Sequence, residues 1–394
     1  MFVDLSDGSV DARRVGVITG DKEKMMKLFC ALLGVSVVVS PMTSLAQVVT
    51  VAPSLGQTVS GPLRLIQTIS LAGVDGALDH MAMDVKGRRL FVPAEQHGTI
   101  EVLDLTTGKR IHTISSARWP STVIYHPESN EIFVSDRADG ACKVFSGKTY
   151  DLVRSIKLMV GADNAAYDVR SHYLYIATGG RHAGLPYTLL AIINALTSQH
   201  LGDIQLDSSN VQAMAFETSG SKMYADLADL SKVAVIDRDK RMMLTAWPTT
   251  PQCQRPYGLA LDSAHRRLFV GCRMFATQAD WWQPGKMLVL DTDSGRPVVS
   301  LDAGGGVDEM FFDPASQRIY SQGYEGITDV WKELDPDHYE SIGRIQGGVH
   351  GKTSLLVPEL SRYYVAVSEH QDVIRGVQGG KIEAAYVEVY EIVE

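Results

Sequence analysis

Two adjacent pairs of side chains in this sequence could trade a proton or hold a hard cation: Asp79-His80 and Asp308-Glu309. A carboxylate beside an imidazole suits general acid–base work, and carboxylates grouped with amides suit a cation or a polar small molecule. Neither pair stands alone. Each lies five and four residues ahead of a recurring turn, and the same offset elsewhere collects Ser121-Thr122, Asp163-Asn164, Gln212, Tyr257 and Lys352-Thr353, with Arg255 and His350 close by. His80, Arg255, Asp308 and Glu309 are the foremost candidates, because charged groups facing a narrow space are costly unless partnered. A water-filled opening would also be lined with polar residues, so the ring alone leaves open whether it holds a ligand. A second candidate surface is Trp281-Trp282, on an inserted stretch spanning residues 273–285. Loops on a rigid scaffold often carry function; these rings could stack on a ligand or partner, or cover an edge.

Several reaction classes lack their motifs. The sequence contains no Cys-x-x-Cys-His for covalent haem, no Gly-x-Ser-x-Gly elbow, no His-Glu-x-x-His zinc site and no Walker-type phosphate loop of the form Gly-x-x-x-x-Gly-Lys-Ser/Thr. No complete catalytic constellation is visible, and no cofactor is assigned.

The elements that must position the ring are set by the turn itself. Residues 84–92 join Asp and Gly turn chemistry to a Leu-Phe-Val run, and the pattern returns at 126–134, 168–176, 217–225, 262–270, 313–321 and 357–365, at spacings of 42 to 51 residues. A period of this length with several short strands per repeat is the signature of a β-propeller blade. The expected fold is all-β, a seven-bladed β-propeller over residues 63–394. Each blade has strands a to d from the channel outward. The last repeat ends one strand short, whereas residues 63–71 fit strand d with no strands a to c before them. The N-terminal strand is therefore expected to complete the last blade and close the ring. Strand a lines the channel, so the polar ring crowds one mouth. Met81, Val123, Ala165, Met214, Leu259 and Met310 follow on its inner, apolar side.

Residues 28–39 are an apolar run of about a dozen behind Lys27, with Ser44 and Ala46 placed for cleavage before Gln47. This reads as a secretory signal peptide, too short to span a membrane comfortably. Residues 1–46 are read as a leader (an over-extended start plus the signal) and 47–62 as a flexible linker. Export would permit a disulfide. Cys253 and Cys272 could pair if the 251–256 loop folds back, and Cys142 is expected to be a buried thiol. The net charge of −9 without a basic stripe argues against binding nucleic acid or an anionic membrane.

The repeats resemble those of the YVTN-type propellers, exported proteins of the YncE-like kind. The strand-b runs 90–93, 132–135 and 174–178 match loosely, as do the strand-c runs 102–104, 235–237 and 289–291. The resemblance covers residues 63–394 and implies the fold and a periplasmic or secreted location. It takes in the haem-d1 domain of nitrite reductase and propeller lactonases, but a full set of their ligands or catalytic residues is not matched here. The expected function is an exported, non-catalytic binding module for a small polar ligand or a protein partner. It would use Asp79, His80, Asn164, Gln212, Arg255, Asp308, Glu309 and Lys352 at the mouth, or Trp281 and Trp282 on the loop. A monomer without a membrane span is expected after signal removal. The alternative is a lactonase-like or metal-dependent hydrolase using the acidic and His residues of the mouth.

Overall fold

The apolar run after each turn is buried on both faces, which is why it reads as continuous rather than alternating. In the first blade Leu90 and Val92 pack into the seam with the seventh blade, while Phe91 between them packs into the seam with the second. The same two-sided burial recurs around the ring, so the core is a set of clusters between neighbouring blades. The computed structural model describes residues 61–274, 282–371 and 382–394. The leader, linker residues 47–60 and Trp281 lie outside the described residues.

Every blade is a four-stranded antiparallel sheet. From the channel outward, blade 1 is Ala82–Asp84, Arg89–Ala94, Thr99–Asp104 and Lys109–Ile114, and blade 2 is Pro120–His126, Glu131–Asp136, Ala141–Ser146 and Leu152–Lys157. Blade 3 is Ala165–Asp168, Tyr173–Gly179, Thr188–Asn194 and His200–Leu206, and blade 4 is Met214–Phe216, Lys222–Leu227, Lys232–Asp237 and Met242–Pro248. Blade 5 is Pro256–Asp262, Arg267–Cys272, Gly285–Asp291 and Pro297–Ala303, and blade 6 is Val307–Asp313, Arg318–Gly323, Ile327–Asp335 and His338–Gln346. Blade 7 takes Thr353–Val357, Arg362–Val367 and Tyr386–Ile392 from the end of the chain and Leu63–Ser70 from its beginning.

The expected closure is present. Leu63 pairs with Ile392 and Ser70 with Tyr386. This first strand also joins the two neighbours of its blade: Leu63 packs with Tyr320 and Val330 of blade 6, and Ile69 with Leu90 of blade 1. Blades 5 and 6 approach closely because Gly258 and Gly271, paired across strands a and b, carry no side chain. A Cβ on Gly258 would lie 2.7 Å from Met310 Cγ.

One position repeats in all seven blades. The residue at the end of strand c donates its backbone N–H to the turn between strands a and b. The donors are Leu105, Gly147, Ala195, Arg238, Thr292, Glu333 and Ile392. Backbone bonding therefore fixes the place of these residues while their side chains vary freely.

The 251–256 loop does fold back: the Cys253 N–H donates to the Thr249 carbonyl (2.9 Å), and Cys253 bridges Cys272 with Cα atoms 5.3 Å apart. Cys142 is a buried free thiol, as expected. The connection between strands b and c of blade 3 contains one 3₁₀ turn, Gly180–Ala183, and the connection between strands b and c of blade 7 begins and ends in a short pairing of His370–Gln371 with Ile382–Glu383. Among the described residues no helix is long and apolar enough to cross a membrane.

Candidate functional site at the channel mouth

The residues just before strand a of blade 1 are held by both neighbours. The Asp79 N–H donates to the Pro93 carbonyl of strand b (3.1 Å), and the His80 N–H to Ser121 of blade 2 (3.1 Å), which fixes both side chains at the channel. Elsewhere bulges do the aiming. The register slips between Pro256 and Gly258 in blade 5, and between Val307 and Glu309 in blade 6. An extra residue in one strand re-aims the side chains around it. Tyr257 and Asp308, the extra residues, line the mouth, and Glu309 beside Asp308 lines the channel.

The mouth is a cup of about 240 Å³ lined by Asp79, His80, Glu95, Arg137, Arg181, Gln212, Tyr257, Arg273, Asp308, Tyr324 and Lys352, among others. Below it, sharing His80, Gln212 and Asp308, lies a channel cavity of about 340 Å³. Asn164, Met81, Val123, Ala165, Met214, Leu259 and Met310 line this second space. The apolar residues expected to follow the ring thus face the channel as well as the seams.

The charges in the cup form a chain of pairs. Lys352 Nζ bridges Asp79 (2.7 Å) and Asp308 (3.2 Å). Arg273 donates to Asp308 and, through Nε, to the Val307 carbonyl (3.0 Å), with its guanidinium 3.3 Å from the centroid of the Tyr257 ring. Arg137 joins Glu95 (2.9 Å) to Asp163 (2.5 Å), and His182 reaches the other oxygen of Asp163 (3.2 Å). His80 sits between Glu309, on Nδ1, and Asp79, 3.4 Å from Nε2.

Burial works against every one of these charges, and the partners decide the outcome. For Asp79, burial is outweighed by Lys352 and His80, which hold its carboxyl well below the usual range. For Asp163, burial is outweighed by Arg137 and His182 in the same direction. Burial would lower His80, but Asp79 and Glu309 push it up to about 10. Glu95 goes the other way: burial, then the Asp79 charge, push it up to about 8 despite Arg137. Burial also lifts Glu309 above the usual range, and His80 offsets this only in part. Tyr257 is buried, yet Arg273 and Arg181 draw its phenol below the usual value, and Arg181 and Asn210 each donate to its oxygen at 3.1 Å.

Most of the ring expected from the sequence is brought together: Asp79, His80, Asn164, Gln212, Tyr257, Asp308, Glu309 and Lys352 line the cup or the channel. Arg255 is not among the lining residues. Its backbone bonds Ser231 Oγ (3.2 Å) and accepts from the Arg273 N–H (3.2 Å), so it lies in the connection outside the cup. His350 stacks on His370 with centroids 5.2 Å apart rather than facing the cup. Trp282 is 42% exposed on the blade 5 insertion and is not among the residues lining the cup or the channel cavity. The sequence reading missed Glu95, Arg137, Arg181, Arg273 and Tyr324. All lie one or two residues past the end of strand b, a second fixed offset in the same repeat that would have found them.

No protein-family model matches the chain, and no curated protein matches it. Solved structures do. A chain from the crystal structure of the mitotic checkpoint complex is 13% identical with a TM-score of 0.65, covering 92% of this chain and 100% of that one. A chain of Kuenenia stuttgartiensis hydrazine synthase is 14% identical with a TM-score of 0.60, covering 75% of this chain and 95% of that one. At such identity the likeness is one of fold, that of the β-propeller.

Proposed function

We propose that this protein is an exported propeller of the YVTN-type, YncE-like kind that captures a small anionic ligand, without turnover, in the cup at the channel mouth. The observation that carries this reading is the charge of the lining. His80, Arg137, Arg181, Arg273 and Lys352 face the space against Asp79 and Asp308, while burial and the Asp79 charge lift Glu95 above the usual carboxylate range and so disfavour a further negative charge there. Asp163 and Glu309 lie just behind and temper the excess without cancelling it. Arginine forks match a carboxylate geometrically, and the Met81, Val123, Met214, Leu259 and Met310 side of the channel below would take a short hydrocarbon tail. The Cys253–Cys272 bridge suits an oxidising compartment, in keeping with the leader.

The hydrolase alternative draws on the convergence of Asp79, His80, Asp308 and Glu309. It is weaker because His80 is an imidazolium at neutral pH and has no free electron pair with which to take a proton.

Calorimetric titration with acetate, succinate, citrate and hexanoate tests the reading. At least one should bind, and Arg181→Ala should weaken it about tenfold, roughly the 1.4 kcal/mol that one exposed charge-assisted contact supplies. Arg181 is exposed, so this change leaves the fold intact. Failure of all four acids to bind, or equal binding by the variant, would sink the proposal. Hydrolysis of simple lactones by the wild type would revive the alternative.

A further inference from the structure

At the end of the ring away from the cup, blades 3 and 4 meet through a buried ion pair. Asp168, in the turn of blade 3, lies 2.7 Å from Arg238 of blade 4. The equivalent meeting of blades 5 and 6 sets Asp262 against Glu333, which occupies the same repeat position as Arg238. The third residue of the turn also changes, from Ser171 to His265. His265 Nδ1 lies 2.5 Å from Asp262 Oδ2 and 3.9 Å from Glu333 Oε1.

Two carboxylates and an imidazole thus present one ligand atom each within 4.8 Å of one another. The Glu333 side chain is fully buried, and its Oε2 has no hydrogen-bond partner. The neighbouring Tyr339 hydroxyl does not relieve it. That hydroxyl donates to the Pro336 carbonyl at 2.7 Å and stands 3.5 Å from Glu333 Oε1. Asp262 Oδ1 is engaged by the backbone N–H groups of the turn, which leaves Oδ2 facing the cluster. His265 is 39% exposed at its side chain, which gives an ion a way in from solvent.

We infer that Asp262, His265 and Glu333 form a binding site for a divalent first-row transition ion, with Zn²⁺ as the best match. Buried carboxylates side by side call for a cation, and a guanidinium supplies it in the neighbouring seam. An imidazole among the ligands favours zinc-like ions over calcium, which prefers an all-oxygen shell. Solvent would complete the coordination on the His265 side. The site is independent of the cup, which lies at the opposite end of strand a.

Titration of the chelator-stripped full chain with Zn²⁺ tests this. One equivalent should bind at micromolar concentration or tighter, with Ca²⁺ at least tenfold weaker. Glu333→Gln and His265→Ala should each weaken Zn²⁺ at least tenfold, and both should stay folded by circular dichroism. Glu333→Gln removes a repulsion and His265 is part-exposed, so neither change threatens the fold. His80→Gln, at the mouth, should leave the equivalent in place. No binding below millimolar Zn²⁺, Ca²⁺ binding as tight as Zn²⁺, or a site lost with His80→Gln but kept in Glu333→Gln would overturn the assignment.

Discussion

Arg238 and Glu333 hold the same place in their blades and reach toward the same place in the blade before. One closes an ion pair with Asp168, both side chains 2% exposed; the other brings a second carboxylate up to Asp262. The backbone that positions them is the same hydrogen bond into the turn. The comparison shows how a repeat scaffold separates placement from chemistry. The ladder dictates where a side chain goes, and a single residue then decides whether the seam is a clamp or a place that needs a cation. The mouth offers a third arrangement, in which His80 lies between Asp79 and Glu309 as the cation the lower seam lacks.

The largest effect should come from breaking the clamp. Arg238→Met would leave Asp168 buried without its guanidinium, and urea denaturation should show a loss of about 3–5 kcal/mol. An unchanged midpoint would mean the seam does not depend on the pair.

Next comes the mouth. His80 is raised from the ordinary 6.5 to about 10, so the folded state holds its proton more tightly than the unfolded chain does. Its contribution is fully present below pH 6.5 and is lost as pH rises through 10. His80→Gln should cost about 2–4 kcal/mol at pH 6 and progressively less toward pH 10, by linkage and allowing for coupling to its neighbours. A parallel pH profile for wild type and variant would contradict this.

The smallest effect belongs to the like-charge seam without metal. Burial and Asp262 raise Glu333 from 4.5 to about 7, so its protonated form favours folding and that support is lost as pH climbs from 4.5 through 7. Glu333→Gln should therefore change little at pH 4 and stabilise the metal-free protein by about 1–2 kcal/mol at pH 8. Destabilisation at pH 8 would show that the carboxylate is satisfied by something other than a cation.

Much of the fold was legible because burial on both faces writes itself into the strand-b runs, and because the unpaired strand at residues 63–71 had one place to go. The mouth was legible in part. Counting back from the turn finds Asp79, His80, Asp308 and Lys352, since strand a is in register with the turn. Arg255 is a candidate by its nearness to the ring rather than by the count, which in blade 5 lands on Tyr257, the extra residue of the bulge that does line the cup. Arg137 and Arg273 were missed because they arrive from strand b, at an offset not searched. The seam cluster was out of reach for a different reason. Asp262 and Glu333 are 71 residues apart in the sequence, and their meeting depends on how one blade sits on the next.

The pairing of Leu63–Ser70 with Tyr386–Ile392 has a consequence in time as well as in space. A ribosome adds about 5–20 residues per second, so the strand made first waits tens of seconds for the strand made last. Until then Leu65 and Ile66, half exposed even in the finished ring, have only solvent or a chaperone for company. A chain that stops before residue 386 carries six whole blades and an open circle, its first strand without the neighbour that closes the ring.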